Sequence, residues 1–78
     1  MSHHRMQLNN YLQHRFRTTR DLRLSESVTG PPHAQSWTVV AFFRDVEYGR
    51  GEGLTKAAAT ELASKQALDA LKQPGAGH

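Results

Sequence analysis

The chain has 78 residues, no cysteine and a formal net charge of +3. That length holds one domain with a small core, and the missing thiols exclude disulfides and thiolate metal sites. No apolar run approaches the roughly 20 residues of a bilayer-crossing helix, and Met1-Ser2-His3-His4-Arg5 lacks the apolar stretch of a secretory signal. The expectation is an intracellular protein, cytoplasmic or nuclear, with no membrane contact.

The charge is unevenly spread. Arg5, Arg15, Arg17, Arg20 and Arg23 face only Asp21 in the first part of the chain, whereas five basic residues face six acidic ones from Leu24 onward. An N-terminal basic excess suits a polyanionic partner. A solvated, solubilising segment has the same composition.

Leu8, Tyr11, Leu12 and Phe16 recur at helical spacing among polar residues, which predicts an amphipathic helix over residues 5 to 16. Arg17 to Asp21 break that period and read as a connector. Leu22, Leu24 and Val28 share one parity, with Glu26 out of place, so an irregular strand is expected there. Gly30-Pro31-Pro32 ends it, because neither proline can donate to a ladder. Trp37, Val39, Ala41 and Phe43 then alternate with Thr38, Val40, Phe42 and Arg44 in a clear strand. Arg44-Asp45 can turn the chain, and Val46 to Arg50 return as a third strand. Gly49, Gly51 and Gly53 are expected to loosen the backbone before a second helix, Lys56 to Leu71, with Thr55 as its N-cap. Gln73-Pro74-Gly75 closes that helix. The expected domain spans residues 6–72, between a flexible N-terminus (1–5) and a flexible tail (73–78). Helix, three antiparallel strands and helix, with both helices on one sheet face, make an α+β two-layer sandwich of order α-β-β-β-α.

Within this frame, Gly30-Pro31-Pro32-His33, Trp37 opening a strand, Tyr48-Gly49-Arg50-Gly51-Glu52-Gly53-Leu54-Thr55-Lys56, and Ala59, Ala63, Ala67 and Leu68 stand in order. The set resembles the double-stranded-RNA-binding domain, in particular the copies at the end of bacterial-type ribonuclease III and in small stand-alone fungal proteins. The resemblance covers residues 6 to 72. It implies a non-catalytic module that recognises A-form RNA by shape, touching two minor grooves and the phosphates between them. No cofactor is implied, and the catalytic domain of the nuclease is not part of this sequence.

Three patches follow from the resemblance. On helix one it implies Asn9 and Asn10, with Gln13 secondary; amides both donate and accept, as 2′-hydroxyls and base edges require. Many relatives carry a carboxylate where Asn10 stands. In the proline-stiffened loop it implies His33, with Gln35 as an adjunct. At the start of helix two it implies Thr55, Lys56 and Thr60 toward phosphate, but here the sequence departs from the family. Relatives usually carry two adjacent lysines and a third basic residue one turn later, where this chain has Lys56, Ala57 and Thr60. Fewer cations mean weaker binding with a flatter salt dependence. Arg50, close in sequence, is the candidate to compensate. The plainer reading of the helix-one patch is a solvated polar face, and that of His33 an ordinary surface-loop histidine.

The five histidines lack the spacing and carboxylate company of a metal site, and no nucleophile triad or phosphate loop is present. A rival reading concerns the sheet face away from the helices. Val40, Phe42, Val46 and Tyr48 are expected there, and an apolar outer face suits a protein partner or a homodimer.

Overall fold

The computed structural model describes residues 4–18 and 20–72. Their order is α1 (His4–Phe16), β1 (Leu22–Thr29), β2 (Ser36–Phe43), β3 (Val46–Gly53) and α2 (Lys56–Lys72). The strands form one antiparallel sheet with β2 in the centre, and both helices contribute to the core on one of its faces. This is the expected α-β-β-β-α sandwich. α1 already includes His4 and Arg5, and the remaining N-terminal residues 1–3 and the tail 73–78 lie outside the described residues.

The core follows the alternation in β2. Val39, Ala41 and Phe43 are buried and meet Leu8 and Leu12 of α1 and Ala59, Ala63, Ala67 and Leu68 of α2. Leu8 and Leu12 have no exposed surface, and burial of each contributes roughly 1.5–3 kcal/mol. Trp37 is half-buried against Val39 and the α2 alanines. Tyr11 adds a bond of its own, its hydroxyl donating to the carbonyl of Leu71 at 3.1 Å.

The glycines of β3 do something other than loosen the backbone. β3 continues through Gly53, and Gly51 and Gly49 pair with Val39 and Ala41, on the helix-facing side. A Cβ on Gly49 would lie 2.6 Å from the Ala67 nitrogen, and one on Gly51 would lie 2.5 Å from the Ala63 nitrogen. Only hydrogen fits between strand and helix. The alanines of α2 supply the matching half, so two backbones approach as closely as their side chains allow.

The β2–β3 hairpin turns on two residues, Arg44 (φ 53°) and Asp45 (φ 65°). Two successive left-handed residues make a type I′ turn, whose twist suits a hairpin but which favours Asn-Gly. Here the strained backbone is held by contacts. The Arg44 amide donates to the carbonyl of Asp21 at 3.0 Å. Its guanidinium pairs with the Asp21 carboxylate at 3.2 Å and lies 5.2 and 5.1 Å from the ring centroids of Phe16 and Phe43.

The register corrects the expected outer face. Val46 pairs with Phe43 and so lies on the helix side, half-exposed beside the turn. Ala41 pairs with Gly49 and Phe42 with Glu47, which leaves Tyr48 as the extra residue of a bulge. That bulge lets Tyr48 pack against the Leu8–Leu12–Phe43 cluster. Val40 and Phe42 remain outside, and the Arg23 guanidinium covers the Phe42 ring at 5.7 Å. Their cross-strand neighbours are Arg23, Ser25, Arg50 and Glu47, so the outer face is mostly polar.

Two substitutions test this packing. Gly51→Ala places a methyl group inside the α2 backbone and should cost about 1–3 kcal/mol or more in denaturant unfolding; an unchanged midpoint would contradict the close approach. The Ser64 hydroxyl is fully buried with no hydrogen-bond partner among the described residues. Ser64→Ala should therefore be neutral or stabilise by up to about 1 kcal/mol, and a clear loss on melting would reveal a partner for that oxygen.

Candidate nucleic-acid interface

The start of α2 forms as its sequence suggests. The Thr55 hydroxyl accepts from the Ala58 amide at 3.1 Å, and the Thr55 carbonyl accepts from the Ala59 amide, also at 3.1 Å. This is an N-cap, and it leaves the hydroxyl hydrogen of exposed Thr55 free to donate outward. Lys56 and Thr60 follow one turn apart on a common helix face. The Lys56 ammonium reaches the Glu26 carboxylate at 3.2 Å, so the cation is tied to β1.

Glu26 thereby acquires a purpose. It pairs across the ladder with Val39 and so shares the helix-facing side of β1 with Leu22 and Leu24. By pattern it was the misfit of that strand. β1 runs beyond the cover of the helices, and the carboxylate stays exposed at the place where α2 begins.

One carboxylate of α2 holds the first turn of α1. Glu61 accepts from the backbone amides of His4 at 2.9 Å and Arg5 at 3.3 Å, and its Oε2 lies 3.2 Å from the His4 ring nitrogen. Near the other end, Tyr11 bonds to Leu71. The two helices therefore run parallel, with the first turn of α1 next to the first turns of α2. Unbonded N–H groups of α1 receive an acceptor that their own helix cannot supply.

This placement divides the α1 candidates. Asn9 is half-buried and, with Arg5, lines a cleft against Leu22, Leu24 and Glu26 of β1. Asn10 and Gln13 are exposed and line a second depression with His14 and Arg17. Arg5 also borders a third concavity with Lys56, Ala57, Thr60 and Glu61. Asn9, Lys56 and Thr60 are thus joined around Arg5, while Asn10 and Gln13 form the next surface along the helix.

The β1–β2 loop presents His33 from a defined turn. The Ala34 amide donates to the Pro31 carbonyl at 2.9 Å, so Pro32 and His33 are the central residues of a β-turn. Proline suits the first of these positions because its φ is already set. Gly30 enters the turn at φ 97°, and a Cβ there would lie 2.5 Å from the Ala34 carbonyl oxygen. His33 and Gln35 are both exposed. The loop follows the Val28–Trp37–Gly53 rung, at the same end of the sheet as the start of α2.

Arg50 lies elsewhere. It pairs with Val40, between two glycines that face α2, so its side chain points to the outer sheet face, where it meets Glu47 at 3.4 Å. It does not join Lys56. Sequence proximity suggested otherwise, but strand alternation sends neighbouring side chains to opposite faces. Arg5, Glu26 and Glu61, and His14 and Arg17 beside Asn10 and Gln13, line these concavities although the sequence did not mark them as site residues. No group of three or more metal-ligating side chains occurs among the described residues, and no helix there is long and apolar enough to cross a membrane.

The family model described as the double-stranded RNA binding motif matches residues 5–71. The chain belongs to that family. It is also similar to a protein named ribonuclease 3 from Syntrophotalea carbinolica, with 46% identity over 44 residues, or 56% of this chain and 19% of that relative. The chain therefore spans about a fifth of the curated relative it matches.

The Glu61 link between the helices can be tested directly. Glu61→Ala removes the acceptor of two amides and should cost about 0.5–2 kcal/mol, the range of a lost helix cap. Amide exchange should rise in the first turn of α1 while β2 stays protected. Uniform exchange across both would show that the contact does not hold the helix.

Proposed function

We propose that this domain binds double-stranded RNA by the shape of the A-form duplex, without catalysis and with low base-sequence preference. The observation that carries the reading is the family match over nearly all of the chain. A-form RNA exposes 2′-hydroxyls in a wide, shallow minor groove and keeps its major groove too narrow for side chains. Asn9, Asn10 and Gln13 provide amides for one minor groove. His33 and Gln35, carried by a stiff turn, provide contacts for the next. Thr55, Lys56 and Thr60 face the phosphates between them.

The geometry supports this assignment in two ways. The loop and the start of α2 lie at one end of the sheet, and the first turn of α1 is fixed beside α2. The amides and hydroxyls named are mostly exposed, so engaging a ribose or phosphate requires no unfolding. The alternative role, a protein-docking face built on Val40, Phe42, Val46 and Tyr48, loses support because the register separates those four residues.

Titration with a 20-base-pair RNA duplex and the same sequence as DNA tests the reading. Preference for RNA at low salt is expected, and equal affinity for the two, or none for RNA, refutes it. Lys56→Ala should weaken binding about equally for unrelated duplex sequences, since a phosphate contact carries no base information. Glu26→Gln removes the carboxylate that competes for Lys56. It should strengthen RNA binding several-fold and steepen its salt dependence; a weaker complex would mean that Glu26 itself contacts the duplex.

A further inference from the structure

The weakest part of the proposed interface is the rim of α2, where Ala57 and Thr60 offer no charge to phosphate. Another element brings a cation to that rim. Because Glu61 fixes the amides of His4 and Arg5, the first turn of α1 sits against the first two turns of α2. Arg5 borders one concavity with Lys56, Ala57 and Thr60 and a second with Asn9 and Glu26. It is the shared member of both.

The arginines of the sheet and its β2–β3 turn are committed, while Arg17 and Arg20, in the connector after α1, line neither of the two concavities that Arg5 borders. Arg23 pairs with Asp45, Arg44 with Asp21 and Arg50 with Glu47. Arg15 lies over the Phe16 ring at 5.8 Å. The Arg5 side chain is exposed and makes no ion pair among the described residues. A guanidinium offers five donors in a planar fork and grips phosphate through two of them. Arg5 and Asn9 are four residues apart, on one side of α1, so a strand backbone met by Arg5 would continue directly to the amide of Asn9.

We propose that Arg5 is a phosphate-binding residue of this domain and replaces, from α1, a cation that α2 lacks at Ala57 and Thr60. Arg5, Lys56 and Thr60 then form one phosphate site shared by two helices. The inference rests on the duplex-binding reading above and adds to it a residue and a division of labour between the helices.

The test is the salt dependence of binding to the 20-base-pair RNA, measured between 50 and 200 mM salt. Arg5→Gln keeps the backbone amide that Glu61 holds and removes the charge. Its affinity at the lower salt should fall by roughly three- to tenfold, and the slope of log affinity against log salt should flatten by about one. Lys72→Gln removes an equal charge at the far end of α2 and should leave the slope unchanged. Ala57→Lys placed in the Arg5→Gln protein should restore the slope, since the new ammonium enters the same concavity. Thermal melting of each variant confirms that it is folded, and Arg5→Lys, which retains the charge, should keep the wild-type slope. An unchanged slope in Arg5→Gln, or equal flattening in Lys72→Gln, would overturn the proposal while leaving the domain a binder of duplex RNA. Absence of RNA binding by the wild-type domain would instead overturn the functional reading, and this inference with it.

Discussion

Contact between two backbones, β3 through its glycines and α2 through its alanines, is the constraint from which the rest of the architecture follows. With Gly49 and Gly51 facing Ala63 and Ala67, the helix has no room to roll or lift. Interiors pack at crystal-like density, so a contact without side chains leaves only a narrow range of positions. α2 is thereby fixed with its first turn at the end of the sheet where the β1–β2 loop emerges. The space left over Ala41 and Phe43 is filled by Leu8 and Leu12, which sets the place of α1. The larger hydrophobic side chains supply most of the burial, but the smallest residues decide the geometry.

A second constraint is electrostatic. An isolated 13-residue helix such as α1 is marginal in water, and its first amides have no partner within the helix. Glu61 provides the acceptor from α2, which places a negative charge at the positive end of the α1 dipole. One residue thus completes α1 and sets its alignment with α2. The alignment is parallel, as the separate bond from Tyr11 to Leu71 requires. Any surface that uses both helix beginnings depends on this carboxylate, although Glu61 need not touch the ligand.

Much of this was legible in the sequence. The alternation in Trp37 to Phe43 and the four-residue spacing of the α2 alanines are local patterns, and local patterns identify elements and core faces well. The N-cap at Thr55 and the turn containing Pro32 follow from residue chemistry in the same way. What could not be read depends on register and on contacts distant in sequence. The bulge at Tyr48 has no marker in the chain, yet it moves that ring from the outer face to the core. Arg50 looked like a neighbour of Lys56 until strand pairing placed it on the other face. Arg5 looked like part of a loose terminus because its relation to α2 is a contact between residues 56 positions apart. Glu26 is the instructive case, for its misfit with the strand pattern was visible and only its partner, Lys56, was not.

For the three charged residues, Arg50, Arg5 and Glu26, the cause is common. Charge at a binding surface is a property of space, and a motif read along one helix counts only the charge which that helix carries. The α2 segment, with one lysine where the family resemblance leads one to expect three basic residues, looks depleted. Lys56 is also already engaged, but its pair with Glu26 is a surface one, with both side chains more than one-third exposed. Such pairs contribute about 0–1 kcal/mol, so exchanging the carboxylate for a phosphate costs little. The pair holds the ammonium near the cleft without removing it from use. Arg5 needs no such exchange, since no carboxylate among the described residues holds its guanidinium. Two cations reach the same rim by different routes, one local to α2 and one carried there by the docking of α1. If the duplex meets this rim as proposed, its affinity is coupled to the docking of the two helices, because moving α1 away would take one of the two cations with it.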